Sequence, residues 1–494
     1  MQFSDLVRSL PSLRREGIHD AEIVSIADDS RLVSRGSLFV ARPGAHSDGG
    51  SFVASALAHG AVAVVAADGV AVPAGIPIAR TAHPAAAVAE LSHAFLGFPA
   101  RNMRVAGVTG TNGKTTIAFL LQQCMAVAGE RYGLIGTVCV DDGQKQSVSE
   151  LTTPGAIELA TLLARMKSNG CTGVCMETSS HALDQGRVAG LDFSVAIFTN
   201  LSGDHLDYHG TMEQYASAKA RLFEGLGRSA TAIVNADDPA YERMVRDCHA
   251  RVLRCGFSGG KNLEAQVSVL DARLGSMHVR MQGPWGDLAA RLPMMGRHNC
   301  MNALQAVAGA WVLGAPTAAL EQAMAKASAP PGRLEPVTDP EAPFAVLVDY
   351  AHTDDALLNV VRAVRPALPE GGRLIVVFGC GGDRDRTKRP RMARVACEFA
   401  DCIVITSDNP RTEDPAAIVR EIEGGVPPHR ADRVTSVIDR REAIHHAVQM
   451  ARPGDAVVIA GKGHENYQII GKVKRPFDDR LVAREALQAV GSEA

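Results

Sequence analysis

The sequence predicts an α/β fold in three domains: a central doubly wound, mostly parallel sheet, flanked by a small N-terminal α/β domain and a C-terminal Rossmann-like α/β domain. Three observations predict it. Short apolar runs alternate with helix-length stretches along most of the chain, the pattern of parallel-sheet proteins. At 494 residues the chain is too long for one core, and the usual size of domains suggests roughly three. Two Pro/Gly breaks, Gly97-Phe98-Pro99 and Ala329-Pro330-Pro331-Gly332-Arg333, divide it into expected domains at 1–98, 99–332 and 333–494.

Composition narrows the function. Hydrophobic residues are 46% and charged residues 21%, a globular balance, and the formal net charge is −3 with no lysine or arginine block. Nucleic acid and anionic membrane are therefore not expected partners, and any polyanionic ligand must be met locally. The ten cysteines form no CxxC pair, and Cys171 and Cys175 lack the companions of a zinc site, so buried thiols in a reducing compartment are expected. No signal-like apolar core opens the sequence, and the apolar 56–80 region is broken by His59, Asp68, Pro73 and Pro77. A cytoplasmic protein without a membrane span is the expectation.

In the first segment, strands are expected at 37–41, 61–66 and 76–79, with an alanine-rich helix at 52–59 and another at 84–96. The turns Asp29-Ser30-Arg31 and 43–50 (PGAHSDGG) offer backbone donors, although turns of this composition are ordinary without a ligand.

The central segment opens on GVTGTNGKTT, residues 107–116, between an apolar run at 104–106 and a helix-like stretch at 117–128. Glycines at 107, 110 and 113 let the backbone curl, so that successive N–H groups and a helix N-terminus point at one anion. Lys114 adds a charge and Thr115 a hydroxyl suited to a metal ion. The strict GxxxxGK[ST] pattern fails at Val108, so the loop is a variant P-loop, the seat of a nucleoside triphosphate. Strands follow at 132–140, 173–177, 195–199 and 230–235, with helices near 155–168 and 212–225. Ligands of such sheets bind at the carboxyl ends of the strands, where METSSH and NLSGDHLDYH fall. Glu177 and His205 are the candidates to share, with Thr115, a Mg²⁺ that bridges triphosphate oxygens. Lys219 lies on a helix expected near the same strand ends. Alternating strands at 262–292 lead to Gly296-Arg297-His298-Asn299, whose asparagine either caps the next helix or hydrogen-bonds an adenine edge.

In the last segment, strands at 345–349, 374–378, 402–406 and 456–460 each end in a polar loop: Tyr350-Ala351-His352, GCGGDRDRTKR, DNPR and GKGHE. Arginine forks suit a carboxylate, and Asp408 and Glu465 suit an ammonium, so a zwitterionic ligand such as an amino acid is expected.

GVTGTNGKTT, METSSHAL, TNLSGDHLDYHG, GRHN, DYAHT, GCGGDRDRTKR, DNPR and GKGHE occur in one order across almost the whole chain. In this the sequence resembles the ATP-dependent Mur ligases of peptidoglycan synthesis and related amide-forming amino acid ligases; DNPR is similar to the mark of members that add meso-diaminopimelate rather than lysine. The resemblance implies domains for the UDP end of a nucleotide precursor, for ATP and for the incoming amino acid. ATP would lie on Gly110, Thr111, Asn112, Gly113, Lys114, Thr115 and Thr116, with Asn299, Arg333 and Asp349. Lys114, Glu177, His205 and Lys219 would be catalytic, Thr115, Glu177 and His205 would hold Mg²⁺, and carbamylation of Lys219 would add a further metal-binding carboxylate. Ser30, His46, Ser47 and Asp48 would contact the UDP-sugar, and Thr152, Thr153, Ser179, Gln185 and Arg187 its sugar and peptide portion. Arg384, Asp408, Asn409, Pro410, Arg411, Gly461 and Glu465 would bind diaminopimelate.

Two positions depart from the family pattern: Asp354 where proline is expected and Leu151 where a polar residue is commoner. The implied reaction passes through an acyl phosphate, with closure of the last domain over the central one near Gly332-Arg333, in a monomer acting on small molecules. Two rivals are the same chemistry with L-lysine and a non-catalytic nucleotide-binding module, against which intact Lys114, Glu177 and His205 argue.

Overall fold

The computed structural model describes residues 1–44, 48–273, 275–339 and 342–492. It is α/β throughout, with a large, mostly parallel sheet and separate N- and C-terminal sheets. By contact density the chain divides into two compact units, Met1–Arg254 with Gly309–Ala315, and Cys255–Ala308 with Pro316–Ala494.

In the first unit, a small sheet runs in the order Arg14–Glu16, Ile78–Arg80, Ala61–Ala66, Ser37–Ala41, Ser25–Ala27, parallel except for its first pair. The helix Pro84–Phe95 covers one face, and its apolar side also meets Ala156 and Ile157 of the helix Ala156–Ser168. The larger sheet carries the parallel strands Tyr132–Ile135, Gly173–Glu177, Arg104–Thr109, Phe193–Phe198 and Thr231–Asn235 in that order. These strands are buried almost end to end, as expected of a sheet covered on both faces. Their carboxyl ends, at Thr109, Glu177 and Phe198, therefore open into neighbouring loops.

The second unit holds the antiparallel strands Ala265–Arg273, Ser276–Gly283 and Gly286–Leu292. Its own sheet runs Glu335–Pro336, Ala345–Asp349, Ala456–Ala460, Leu374–Phe378, Cys402–Ile405, Val434–Ser436, parallel after the first pair. A hairpin, Tyr467–Ile470 with Val473–Pro476, follows.

Two local readings are corrected. The helix after the glycine loop begins at Lys114 rather than 117, so Lys114, Thr115 and Thr116 form its first turn. The expected strand at 132–140 is instead an antiparallel pair, Tyr132–Ile135 and Cys139–Asp141. At the turn between them, Gly136 packs so closely on Glu177 that a side chain would collide with its carboxylate, and the Thr137 N–H donates to that carboxylate at 2.8 Å.

Candidate active site

The glycine loop is tied to the neighbouring strand end. The N–H groups of Thr111 and Asn112 donate to the backbone and side-chain oxygens of Asn200 at 2.8 and 2.9 Å, and Thr199 Oγ1 donates to the Asn112 carbonyl at 2.6 Å. Gly110, at φ +143°, is pressed against Thr199 so closely that any Cβ would strike its hydroxyl. The loop is thus held in a curl that only glycine permits, with Gly113 capping the helix Lys114–Val127. A helix N-terminus in this setting attracts an anion. Lys114 Nζ folds back onto the carbonyls of Gly110 and Thr111 at 2.9 and 2.8 Å.

Glu177, 1% exposed, ends the strand Gly173–Glu177. Its carboxylate accepts from Thr115 Oγ1 at 2.9 Å, from the Thr137 N–H at 2.8 Å and from Thr137 Oγ1 at 3.1 Å. Lys219, also 1% exposed, donates from Nζ to the Gly110 carbonyl at 2.9 Å and lies 4.3 Å from the centre of the Tyr215 ring. Burial, reinforced by the charge of Lys114 and opposed by Asp204, holds its pKa well below the ordinary lysine value.

His205 takes the left-handed conformation, φ +54°, at the start of the helix Leu206–His209, with Nε2 3.5 Å from Asp204 Oδ2 and its ring 4.9 Å from that of His181. Burial lowers its pKa, against Asp204 and with Lys114 and Lys219, and burial also takes His181 down to about 4. Among the described residues no three His, Cys, Asp or Glu side chains are gathered as a metal cage. Mg²⁺ ordinarily takes one or two carboxylates and completes its shell with phosphate and water, so such a cage is not required.

Beside Glu177 the structure gathers all the residues expected for the sugar and peptide portion. Thr152 Oγ1 lies 3.0 Å from Thr137 Oγ1; Thr153 Oγ1 donates to the Glu177 carbonyl at 2.8 Å and accepts from the Ser179 N–H at 3.0 Å. Arg187 donates to the Thr153 carbonyl at 2.8 Å and to Gln185 Oε1 at 2.7 Å. In the small sheet's domain, Ser30 is buried in a turn and Asp48 caps the short helix Gly49–Phe52. His46 and Ser47 lie outside the described residues.

The remaining candidates belong to the second unit. Asn299 sits in the first turn of the helix Arg297–Val312; its amide donates to the Met295 carbonyl at 2.8 Å and accepts from Asn302 at 3.0 Å. Asp349 is buried and accepts from the N–H groups of Leu334 and Ala351, both at 2.7 Å; burial raises its pKa although the charge of Arg333 opposes this. Arg333 lies 5.0 Å from the centre of the Tyr350 ring.

Arg411, at φ +51°, is fixed by the hairpin: its N–H donates to Ile469 O at 3.1 Å, and its carbonyl accepts from the Gly471 N–H at 2.7 Å. Arg411 and Arg384 both border Gly381, where a side chain would stand 2.8 Å from Arg411 Nη1 and 3.7 Å from Arg384 Cγ; Arg411 Nη1 donates to the Gly382 carbonyl at 2.8 Å and Arg384 Nη1 to the Asp383 carbonyl at 3.0 Å. Asn409 Nδ2 donates to Glu465 Oε2 at 2.9 Å. Two other loop arginines are committed elsewhere: Arg389, with no exposed surface, pairs with Glu413 and Glu421, and Arg386 also pairs with Glu421. They shape the loop rather than offer charge to a ligand.

Residues 22–97, 108–310 and 332–463 match, in turn, the Mur ligase family catalytic domain, the Mur ligase middle domain and the Mur ligase glutamate ligase domain. The chain belongs to the Mur ligase family. A UDP-N-acetylmuramoyl-L-alanyl-D-glutamate–2,6-diaminopimelate ligase of Gloeobacter violaceus is 43% identical over 96% of both chains. A protein of the same name from Geobacillus thermodenitrificans is 42% identical over 99% of both. A solved structure with that name covers 95% of each chain at 34% identity and a TM-score of 0.70.

Three contributors escaped the sequence reading. Thr137 supplies two of the three hydrogen bonds described on the Glu177 carboxylate, Lys462 bridges Asn409 and Glu465, and Arg440 pairs with Asp479 behind the strand ends. Lys462 stands in plain view inside GKGHE; Thr137 was concealed by the unbroken strand expected there.

Proposed function

We propose that this Mur ligase joins meso-2,6-diaminopimelate to the D-glutamate γ-carboxylate of UDP-N-acetylmuramoyl-L-alanyl-D-glutamate, consuming ATP, in the cytoplasm and as a monomer. The segments 1–98, 99–332 and 333–494 take, in turn, the UDP end of the precursor, ATP and the amino acid. The observation that carries the amino acid assignment is that Gly381 is bordered by Arg384, Arg411 and the Asn409 backbone, while the Asn409 side chain bonds Glu465: guanidiniums for a carboxylate on one side of the DNPR loop, and a carboxylate for an ammonium on the other.

The glycine-bounded loop and the helix N-terminus at Lys114 bind the triphosphate, and Lys114 spreads the charge that grows on the transferred phosphoryl oxygens. Thr115, Glu177 and His205 would hold Mg²⁺, which would supply further charge neutralisation; the buried carboxylate beside a hydroxyl suits such an ion. Lys219 meets the requirement for carbamylation, because burial favours the neutral amine, which adds CO₂ and loses a proton to give a carbamate. Thr152, Thr153, Ser179, Gln185 and Arg187 orient the precursor so that its carboxylate attacks the γ-phosphorus in line, the bond to the β-phosphate oxygen breaks and ADP leaves, giving an acyl phosphate. The amine of diaminopimelate, held through its far end by Arg411 and Asp408, then displaces phosphate from the acyl phosphate. Asn299, Arg333 and Asp349 complete nucleotide binding, and Ser30, Asp48, His46 and Ser47 the uridine end.

The test is phosphate release from purified protein with ATP and Mg²⁺. Release is expected only when both the UDP-dipeptide and diaminopimelate are present; tight ATP binding without turnover would instead favour a silent nucleotide-binding module. Arg411→Ala should cost on the order of 2–5 kcal/mol in transition-state stabilisation with diaminopimelate. Were L-lysine the substrate, the same variant would keep nearly full activity.

A further inference from the structure

Lys462 follows the strand Ala456–Ala460 and has no exposed surface. Its Nζ donates to Asn409 Oδ1 at 3.1 Å and to Glu465 Oε2 at 3.2 Å, and lies 3.8 Å from Asp408 Oδ1. The Ile469 N–H also donates to Asn409 Oδ1, at 2.9 Å. An ammonium offers only donors, so these contacts fix the direction of the Asn409 amide and aim its nitrogen at Glu465. The nearby guanidinium of Arg440 is hydrogen-bonded to Asp479 at 2.8 and 2.7 Å, whereas Lys462 bonds Glu465 directly and lies against Asp408. The Lys462 ammonium therefore offsets one of the two carboxylate charges in a site that also holds the guanidiniums of Arg384 and Arg411.

We infer that Lys462 sets the charge of the amino-acid site and so its choice of substrate: by cancelling one carboxylate, it matches the site to an amino acid whose far end is a zwitterion rather than a bare cation. This rests on the assignment of these loops to the amino acid. Diaminopimelate carries a carboxylate as well as an ammonium at its far end, whereas lysine carries the ammonium alone. With Lys462 uncharged, the site would be more negative by one charge and would shift toward the more cationic ligand.

The experiment compares kcat/KM for diaminopimelate and L-lysine in the wild type and in Lys462→Met, which keeps much of the stem volume. Where lysine turns over too slowly, its inhibition constant against diaminopimelate replaces kcat/KM. The preference for diaminopimelate is expected to fall by about tenfold or more, with the KM for ATP within about twofold of wild type. A residue that merely supports the fold would weaken both amino acids alike, and an unchanged preference overturns the inference. Removing a buried cation strains its partners, so the charge-balanced variant Lys462→Met/Glu465→Gln is measured in parallel. Both amino acids lose the same Glu465 contact there, so the preference is expected to return toward the wild-type value; a preference that stays low overturns the inference. Failure of the wild type to use either amino acid would refute the ligase assignment itself, a result distinct from both.

Discussion

Arg440 and Asp479 are fully buried and meet through two hydrogen bonds, with a third from Arg440 to the Ala460 carbonyl at 2.9 Å. Removing one member strands the other's charge in the interior, so Arg440→Met should lower stability by about 3–5 kcal/mol in urea unfolding at pH 7. A loss below about 1 kcal/mol would mean that the site relaxes around Asp479 or admits water. His298 gives a pH signature. Burial first, and then the charge of Arg333, push its pKa to about 4, whereas in an unfolded chain it titrates near 6.5. Between those values the unfolded state binds a proton that the folded state refuses, so stability falls as pH drops from 6.5 toward 4. His298→Gln should remove up to one proton from that dependence, about 1.4 kcal/mol per pH unit, and an unchanged slope between pH 6 and 4.5 would contradict it.

At the scale of elements, the two loop clusters concentrate backbone strain. Of the six non-glycine residues at positive φ among those described, His205, Leu334, Asp383 and Arg411 lie in or beside the candidate sites. The GCGG and DNPR loops also touch backbone to backbone: the Gly382 N–H donates to the Asn409 carbonyl at 2.9 Å, and a side chain at Gly382 would collide with the Pro410 carbonyl. Gly382→Ala should therefore part these loops and raise the KM for the amino acid by about tenfold or more, leaving the KM for ATP near wild type. Equal loss for both substrates would argue for a global defect. Strands buried on both faces, such as Gly173–Glu177, Leu374–Phe378 and Ala456–Ala460, were legible from their continuous apolar runs. The hairpin Tyr467–Ile470 and Val473–Pro476, half-buried to exposed, carries no such run, so the clamp on Arg411 went unread.

Across the whole molecule, the candidate groups divide between the two compact units, with the glycine loop, Glu177, His205 and Lys219 in one and Asp349, Arg411 and Glu465 in the other. No described helix is long and apolar enough to cross a membrane. Ligand protection should respect this division. In hydrogen exchange, ATP with Mg²⁺ is expected to slow amides at 107–116 and around 177 and 205. Diaminopimelate should slow those at 379–384, 408–411 and 461–471, with stabilisation near 2.7 kcal/mol at about a hundred times Kd. Protection by diaminopimelate confined to the first unit would overturn the assignment of the amino acid to the last loops.

The sequence by itself determined the α/β class, most of the buried strands and the family, because apolar periodicity and glycine spacing are local properties that survive without coordinates. It also named nearly every candidate side chain. What only the tertiary structure decided is which of those side chains remain available to a ligand: Arg386 and Arg389 are taken up by Glu413 and Glu421, Glu177 is aimed by Thr137, and Asp408 and Glu465 share Lys462. Pairing of charges depends on distances between residues tens of positions apart, and those distances are set by the packing of strands and loops rather than by neighbours in the chain.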